Sequence, residues 1–165
     1  MSSPLAIQAK KPANIKELAR DFVQRFYDWY VPRALKENAG PSSDLALKYR
    51  SYVFSPELFR ALKKDSNSSK KADGEVVGLD FDPFLNSQDP GDRYEVGKVT
   101  HEGDSYRVEV YGVWSGKKSE TPDVVPDLVL KNGRWLFINF YYPNLQRDLV
   151  SILKALAEDR RRPAK

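Results

Sequence analysis

Apolar residues in the first part of the chain recur at steps of three and four: Ile15, Leu18, Ala19, Phe22, Val23, Phe26, Trp29 and Tyr30. That spacing predicts a long helix with a broad apolar stripe. Asn14-Ile15-Lys16-Glu17 marks its start as a capping box, with the Asn14 side chain accepting from the first turn and Glu17 reaching back. Pro32 should end or kink the helix near Val31, because proline has no amide hydrogen to give. A weaker helical pattern runs from Leu35 to Gly40. A second helix is expected from about Ser43 to Tyr52. A third begins where Ser55 caps, Pro56 fills the first turn, and Leu58, Phe59 and Leu62 face inward. The stretch DSNSSKKADG, residues 65–74, reads as a polar loop.

From Arg93 the period becomes two. RYEVGKVTH, the turn EGDS and SYRVEVYGVW predict a hairpin in which Tyr106, Val108, Val110 and Trp114 alternate with Arg107, Glu109 and Tyr111. The loop SGKKSETPD leads to VVPDLVL and RWLFINFYY, joined by Asn132-Gly133, a strong hairpin signal. Pro126 predicts an edge strand or a bulge. The last segment reads as a helix capped by Asn144, with Leu145, Leu149, Ile152, Leu153 and Leu156 on one face. Helices, then a meander, then a helix give an α+β domain: N-terminal helices packed on a curved antiparallel sheet of about four strands, with a C-terminal helix. The expected limits are a flexible leader over 1–13, one domain over 14–160 and a basic tail over 161–165.

Composition narrows the chemistry. A net charge of +4 rests on scattered Lys-Lys pairs and the closing RRRPAK, so nucleic-acid binding is not expected. Cysteine is absent, which removes disulfides, thiolate metal sites and a cysteine nucleophile. No run approaches the roughly eighteen apolar residues of a membrane span. MSSPLAIQAKKPA lacks the order of a signal peptide, so the compartment stays open: the chain as given reads as soluble, and export would need a signal removed before this numbering.

FVQRFYDWYVP, Phe22 to Pro32, and GLDFDPFLNSQD, Gly78 to Asp89, precede the GRW of Gly133 to Trp135. In these strings the chain resembles an uncharacterised bacterial family, domain of unknown function 3828, over roughly Ile15 to Tyr142. The resemblance implies a cone-shaped sheet wrapped on helices, of the nuclear transport factor two and cystatin-like class, with a pocket between them. It implies no activity, because the family has none established. Many members look exported or lipid-anchored.

The aspartate-rich GLDFDPFLNSQDPGDRY admits three readings. Asp80, Asp82, Asp89 and Asp92 offer oxygen ligands, but Pro83, Phe84 and Leu85 break the calcium-loop pattern, and no metal or other cofactor is expected. A structural corner, with Phe81, Phe84 and Leu85 plugged into the core, is the preferred reading; a cation site and a pocket rim are the others. His101 is the only histidine and reads as a turn residue, and no serine triad is present. A proton-transfer site would need a carboxylate from Asp80, Asp82, Glu109 or Asp127 and a donor from Tyr27, Tyr30, Tyr106 or Tyr111. The candidate pocket for a small apolar or amphipathic ligand is Phe26, Tyr27, Trp29, Tyr30, Asp82, Trp114 and Trp135, with Tyr141 and Tyr142 as further wall. Strands with apolar residues on both faces predict a homodimer through Tyr111, Val113, Ile138, Phe140 and Tyr142. The expected function is a non-catalytic ligand-binding or interaction domain. The alternatives are a small Asp/Tyr enzyme and an inhibitor or immunity-type protein acting through its loops.

Overall fold

The structure is a computed structural model that describes residues 14–36, 41–71 and 77–162. Helix α1, Ile15–Ala34, begins at Asn14, whose carboxamide oxygen accepts from Lys16 N at 2.9 Å. Pro32 does not end it: the helix continues to Ala34, and Leu35 N donates to Val31 O at 3.0 Å to close the last turn. So little helix follows Pro32 that the missing hydrogen bond is tolerated. Helix α2, Ser43–Tyr49, is shorter than expected and gives way to a 3-10 turn, Ser51–Val53. Helix α3, Pro56–Lys71, absorbs the first part of the expected polar loop. Ser66 Oγ donates to Asp44 at 2.6 Å and Ser68 Oγ to Lys64 O at 2.9 Å, so these serines serve α3 and its packing instead of a turn. Residues 1–13, 37–40, 72–76 and 163–165 lie outside the described residues, and with them the leader and most of the tail.

The sheet is antiparallel and has six strands, four long and two of two residues, where the sequence suggested about four. They are β1 (Arg93–Glu102), β2 (Ser105–Trp114), β3 (Lys117–Lys118), β4 (Val125–Lys131), β5 (Arg134–Tyr142) and β6 (Arg147–Asp148). Their order is β1-β2-β4-β5-β6, with β3 on β2. Asn132 and Gly133 turn the β4–β5 hairpin with φ of 52° and 76°, as a type I′ turn requires. β4 is an internal strand. Pro126 sits in a gap in the pairing with β2, between the Val110–Val124 bridge and the ladder that starts at Asp127, beside a bulge between Asp127 and Leu128. Helix α4, Leu149–Arg161, is capped by Asp148, which accepts from Ser151 N, and not by Asn144.

Helices α1, α3 and α4 pack on the sheet. Val108, Val110, Leu128, Phe137, Phe140 and Tyr142 meet Val23, Phe26, Tyr27 and Tyr30 of α1 in one core. The bulge decides which face β5 presents. Leu128 pairs with Phe137 and Asp127 with Asn139, so Ile138 is the extra residue, and parity flips after it. The expected dimer patch is therefore not assembled: Val113, Phe140 and Tyr142 are wholly buried within the chain, and only Tyr111 and Ile138 keep partial exposure.

Both sheet edges are managed. Ser55 N donates to Phe137 O at 2.9 Å on the β5 side. On the β1 side the Gln24 carboxamide donates to Tyr94 O at 2.9 Å and accepts from Val96 N at 3.0 Å, as a parallel strand's backbone would.

Candidate functional site

The residues read from the sequence as one pocket divide among three places. Tyr27, Tyr30 and Asp82 belong to the aspartate-rich corner. The Tyr30 hydroxyl donates to Asp82 Oδ2 at 2.5 Å. Asp82 Oδ1 accepts from Phe84 N at 2.9 Å and Leu85 N at 3.2 Å, an Asx turn that Pro83 helps to set. Tyr27 Oη donates to Phe84 O at 2.6 Å and Tyr142 Oη to Pro83 O at 2.7 Å. Three tyrosine hydroxyls thus satisfy a corner whose Phe84 and Leu85 are fully buried. Burial pushes the Asp82 carboxyl up to about 6, which the Tyr30 hydroxyl and the two amides only partly offset. Tyr27, Tyr30 and Tyr142 are raised well above their usual range, first by burial and next by the Asp82 charge.

Asp80, Asp82, Asp89 and Asp92 do not converge. Asp92 Oδ2 accepts from Ser115 N at 2.8 Å, while Asp80 and Asp89 offer backbone oxygens to Gln88 and Ser87. Among the described residues no three acidic or histidine side chains are placed to hold a metal ion. A cleft of about 420 Å³ runs past the corner, with Ala34, Ser43, Phe81 and Asp82 on its walls. Asp82 reaches it with both carboxylate oxygens already engaged by the protein.

The remaining proton-transfer candidates sit apart. Glu109 accepts the Tyr111 hydroxyl at 2.6 Å on the sheet face away from the core. Asp127 is on the same face; burial raises its pKa, Arg107 lowers it in part, and the Arg107 Nε to Asp127 Oδ1 distance is 3.9 Å. His101 is exposed at the end of β1 and stacks on Tyr106. DSNSSKKADG and SGKKSETPD, the loops through which an inhibitor or immunity-type protein would act, are tied down in part. Residues 65–71 are helical, and the 115–123 segment is pinned through Ser119 N to Gly112 O and Gly112 N to Asp123 Oδ2.

Phe26, Trp29 and Trp135 come together at a second place, a groove of about 440 Å³. Its floor is Phe22 and Phe26, and Phe22 lies 5.0 Å from Phe137 in the core. Helix α1 builds one wall because its apolar stripe is wider than the core needs. Ala19, Val23, Phe26, Tyr27 and Tyr30 are buried, whereas Leu18, Phe22 and Trp29, offset around the helix, remain partly exposed. Trp135 of β5, held edge-on by Tyr106 at 5.2 Å, forms the opposite wall. Arg50, Tyr52 and Val53, at and just before the 3-10 turn, close the end.

Trp114 does not take part. It sits at the other end of β2 from Tyr106, about 26 Å away by strand rise, where its indole donates to Asp89 O at 3.2 Å.

Asp21, Arg25, Arg50, Tyr52 and Val53 are the groove residues that the periodicity did not single out. Lys48-Tyr49-Arg50-Ser51-Tyr52 alternates cations with aromatics on elements too short to bury them, and Tyr52 is 62% exposed. That alternation was the available signal. The Trp29 ring carries two guanidiniums, Arg50 at 4.3 Å and Arg33 at 4.8 Å from its centroid. Among the described residues, no helix is long and apolar enough to cross a membrane. No family model, curated protein or solved structure matches the chain.

Proposed function

We propose that the protein is a non-catalytic binding domain and that the groove between α1, the 3-10 turn and Trp135 holds a small amphipathic ligand. The supporting observation is the surplus apolar face of α1: Leu18, Phe22 and Trp29 stay in water beside a concave space that Trp135 walls on its far side. Small-molecule sites are concave, largely apolar and marked by a few polar groups, and this groove has that make-up. The resemblance to the uncharacterised bacterial family is part of the same proposal, and with it a cone-like sheet of the cystatin-like class.

Equilibrium dialysis of a neutral flat probe, 2-acetylnaphthalene, against the wild type and Trp135→Ala tests the reading. The expected result is saturable binding by the wild type, weakened about fivefold or more in the variant, since an aromatic wall contributes about 1 kcal/mol. No binding, or equal binding by both proteins, overturns it.

A second reading, proton transfer at Asp82 and Tyr30, has in its favour the raised Asp82 carboxyl and the adjoining cleft. Against it stands the use of both carboxylate oxygens in holding the corner. Its test is whether Asp82→Asn abolishes any turnover found for the wild type while the fold survives.

A further inference from the structure

The groove carries charge as well as apolar surface. Arg25 and Arg50 line it together with a single carboxylate, Asp21. Neither arginine forms an ion pair among the described residues, whereas eight other ion pairs are present. Arg50 uses one N–H on Tyr49 O at 3.0 Å, which leaves most of its five donors to spare. Its guanidinium is already packed on Trp29, so its position is set before anything binds. Asp21 sits one helical turn from Arg25 without reaching ion-pair distance. Two cations and one carboxylate give the lining a net charge of +1, one negative charge short of neutrality.

On the basis of the groove reading above, we infer that the ligand is a flat aromatic monoanion, an aryl carboxylate. Its ring lies against Trp135 over Phe22, and its carboxylate pairs with the Arg50 guanidinium that packs on Trp29, with Arg25 adding a second positive charge. A guanidinium presents parallel N–H donors that match the two oxygens of a carboxylate. Trp135 offers the ring face on which a planar body stacks, while the Trp29 ring holds the Arg50 guanidinium in place. A dianion such as an aryl phosphate monoester overshoots the one missing charge and meets Asp21.

Three probes of one shape separate the terms: 2-acetylnaphthalene, 2-naphthoate and 2-naphthyl phosphate, each titrated by isothermal calorimetry at two salt concentrations. The expected result is 2-naphthoate binding about tenfold tighter than the neutral ketone, as one charge-assisted hydrogen-bonded pair would give. The preference should shrink as salt rises. Arg50→Gln should weaken naphthoate several-fold more than the ketone and so remove most of the preference, and Arg25→Gln should remove less. Arg25 is exposed and Arg50 half-buried, so neither variant opens the core.

Equal affinity for ketone and naphthoate overturns the anion inference and leaves the groove reading standing. Tighter binding of the phosphate than of the carboxylate overturns the monoanion selection. Failure of all three probes overturns the groove reading itself.

Discussion

Asp82→Asn is expected to stabilise the protein at neutral pH and to remove one component of its pH dependence. In the folded chain burial lifts the Asp82 carboxyl from an ordinary 3.8 to about 6. Between those two values the native state holds a proton that the unfolded state has released, so stability falls as pH rises through the interval and stays lower above it. A shift of about two units corresponds to about 3 kcal/mol, or about 2 kcal/mol once discounted for the water that reaches a half-buried residue. Asparagine keeps the geometry: its carbonyl oxygen accepts from the Phe84 and Leu85 amides, and its amino group donates to the Tyr30 hydroxyl.

Urea unfolding followed by far-ultraviolet circular dichroism, from pH 4 to pH 7.5, measures the difference. Taking the variant minus the wild type cancels the groups common to both, including Asp148, whose side-chain hydrogen bonds with Asn139 and Ser151 outweigh its burial and lower its pKa. The difference should be about 0.5 kcal/mol at pH 4 and grow to about 2 kcal/mol in favour of asparagine above pH 6.5. Parallel curves across the range would refute the reasoning, and so would a variant less stable than the wild type at pH 7.5.

Four other substitutions have defined outcomes. Gln24→Ala removes both side-chain bonds to the β1 edge; it should cost about 1–2 kcal/mol in urea unfolding and produce concentration-dependent association in sedimentation velocity, because the freed edge can pair with another chain. Arg160→Ala leaves Asp65, 4% exposed and 2.9 Å from the guanidinium, without its charge partner. It should cost about 3–5 kcal/mol, whereas Arg162→Ala, at an exposed pair, should stay within about 0.5 kcal/mol. Gly78→Ala sets a Cβ into Ser69 Oγ and 2.8 Å from Asp65 Oδ2, and should lower stability by about 1–3 kcal/mol in thermal unfolding.

Period and punctuation made most elements legible. Asn14 starts α1, the change of period at Arg93 starts the sheet, and Asn132-Gly133 turns its last long hairpin. What was not legible depended on a bulge or on tertiary partners. The β5 bulge turned Phe140 and Tyr142 into the core and dissolved the expected dimer face, and bulges leave little trace in an alternating string. Asn144 looked like a helix cap because of its residue type, but its side chain receives Asn86 Nδ2 at 2.7 Å, and Asp148 caps α4 instead. The corner's tyrosines were visible as an aromatic stripe; that their hydroxyls would reach Phe84, Asp82 and Pro83 was set by packing some fifty residues away. Of the candidate pocket, Phe26, Trp29 and Trp135 were legible and do share the groove. Arg50 and Tyr52 were passed over because a three-residue turn has no period to read.

The three tryptophans allow the groove to be tested against an internal control. In a nitrogen–proton correlation spectrum each indole N–H gives its own signal, and 2-naphthoate is titrated in. The signals of Trp29 and Trp135 should move together and saturate, while that of Trp114, bonded to Asp89 O at the far end of β2, stays in place. Movement of Trp114 alone, or of none of the three, would contradict the placement of the ligand in this groove.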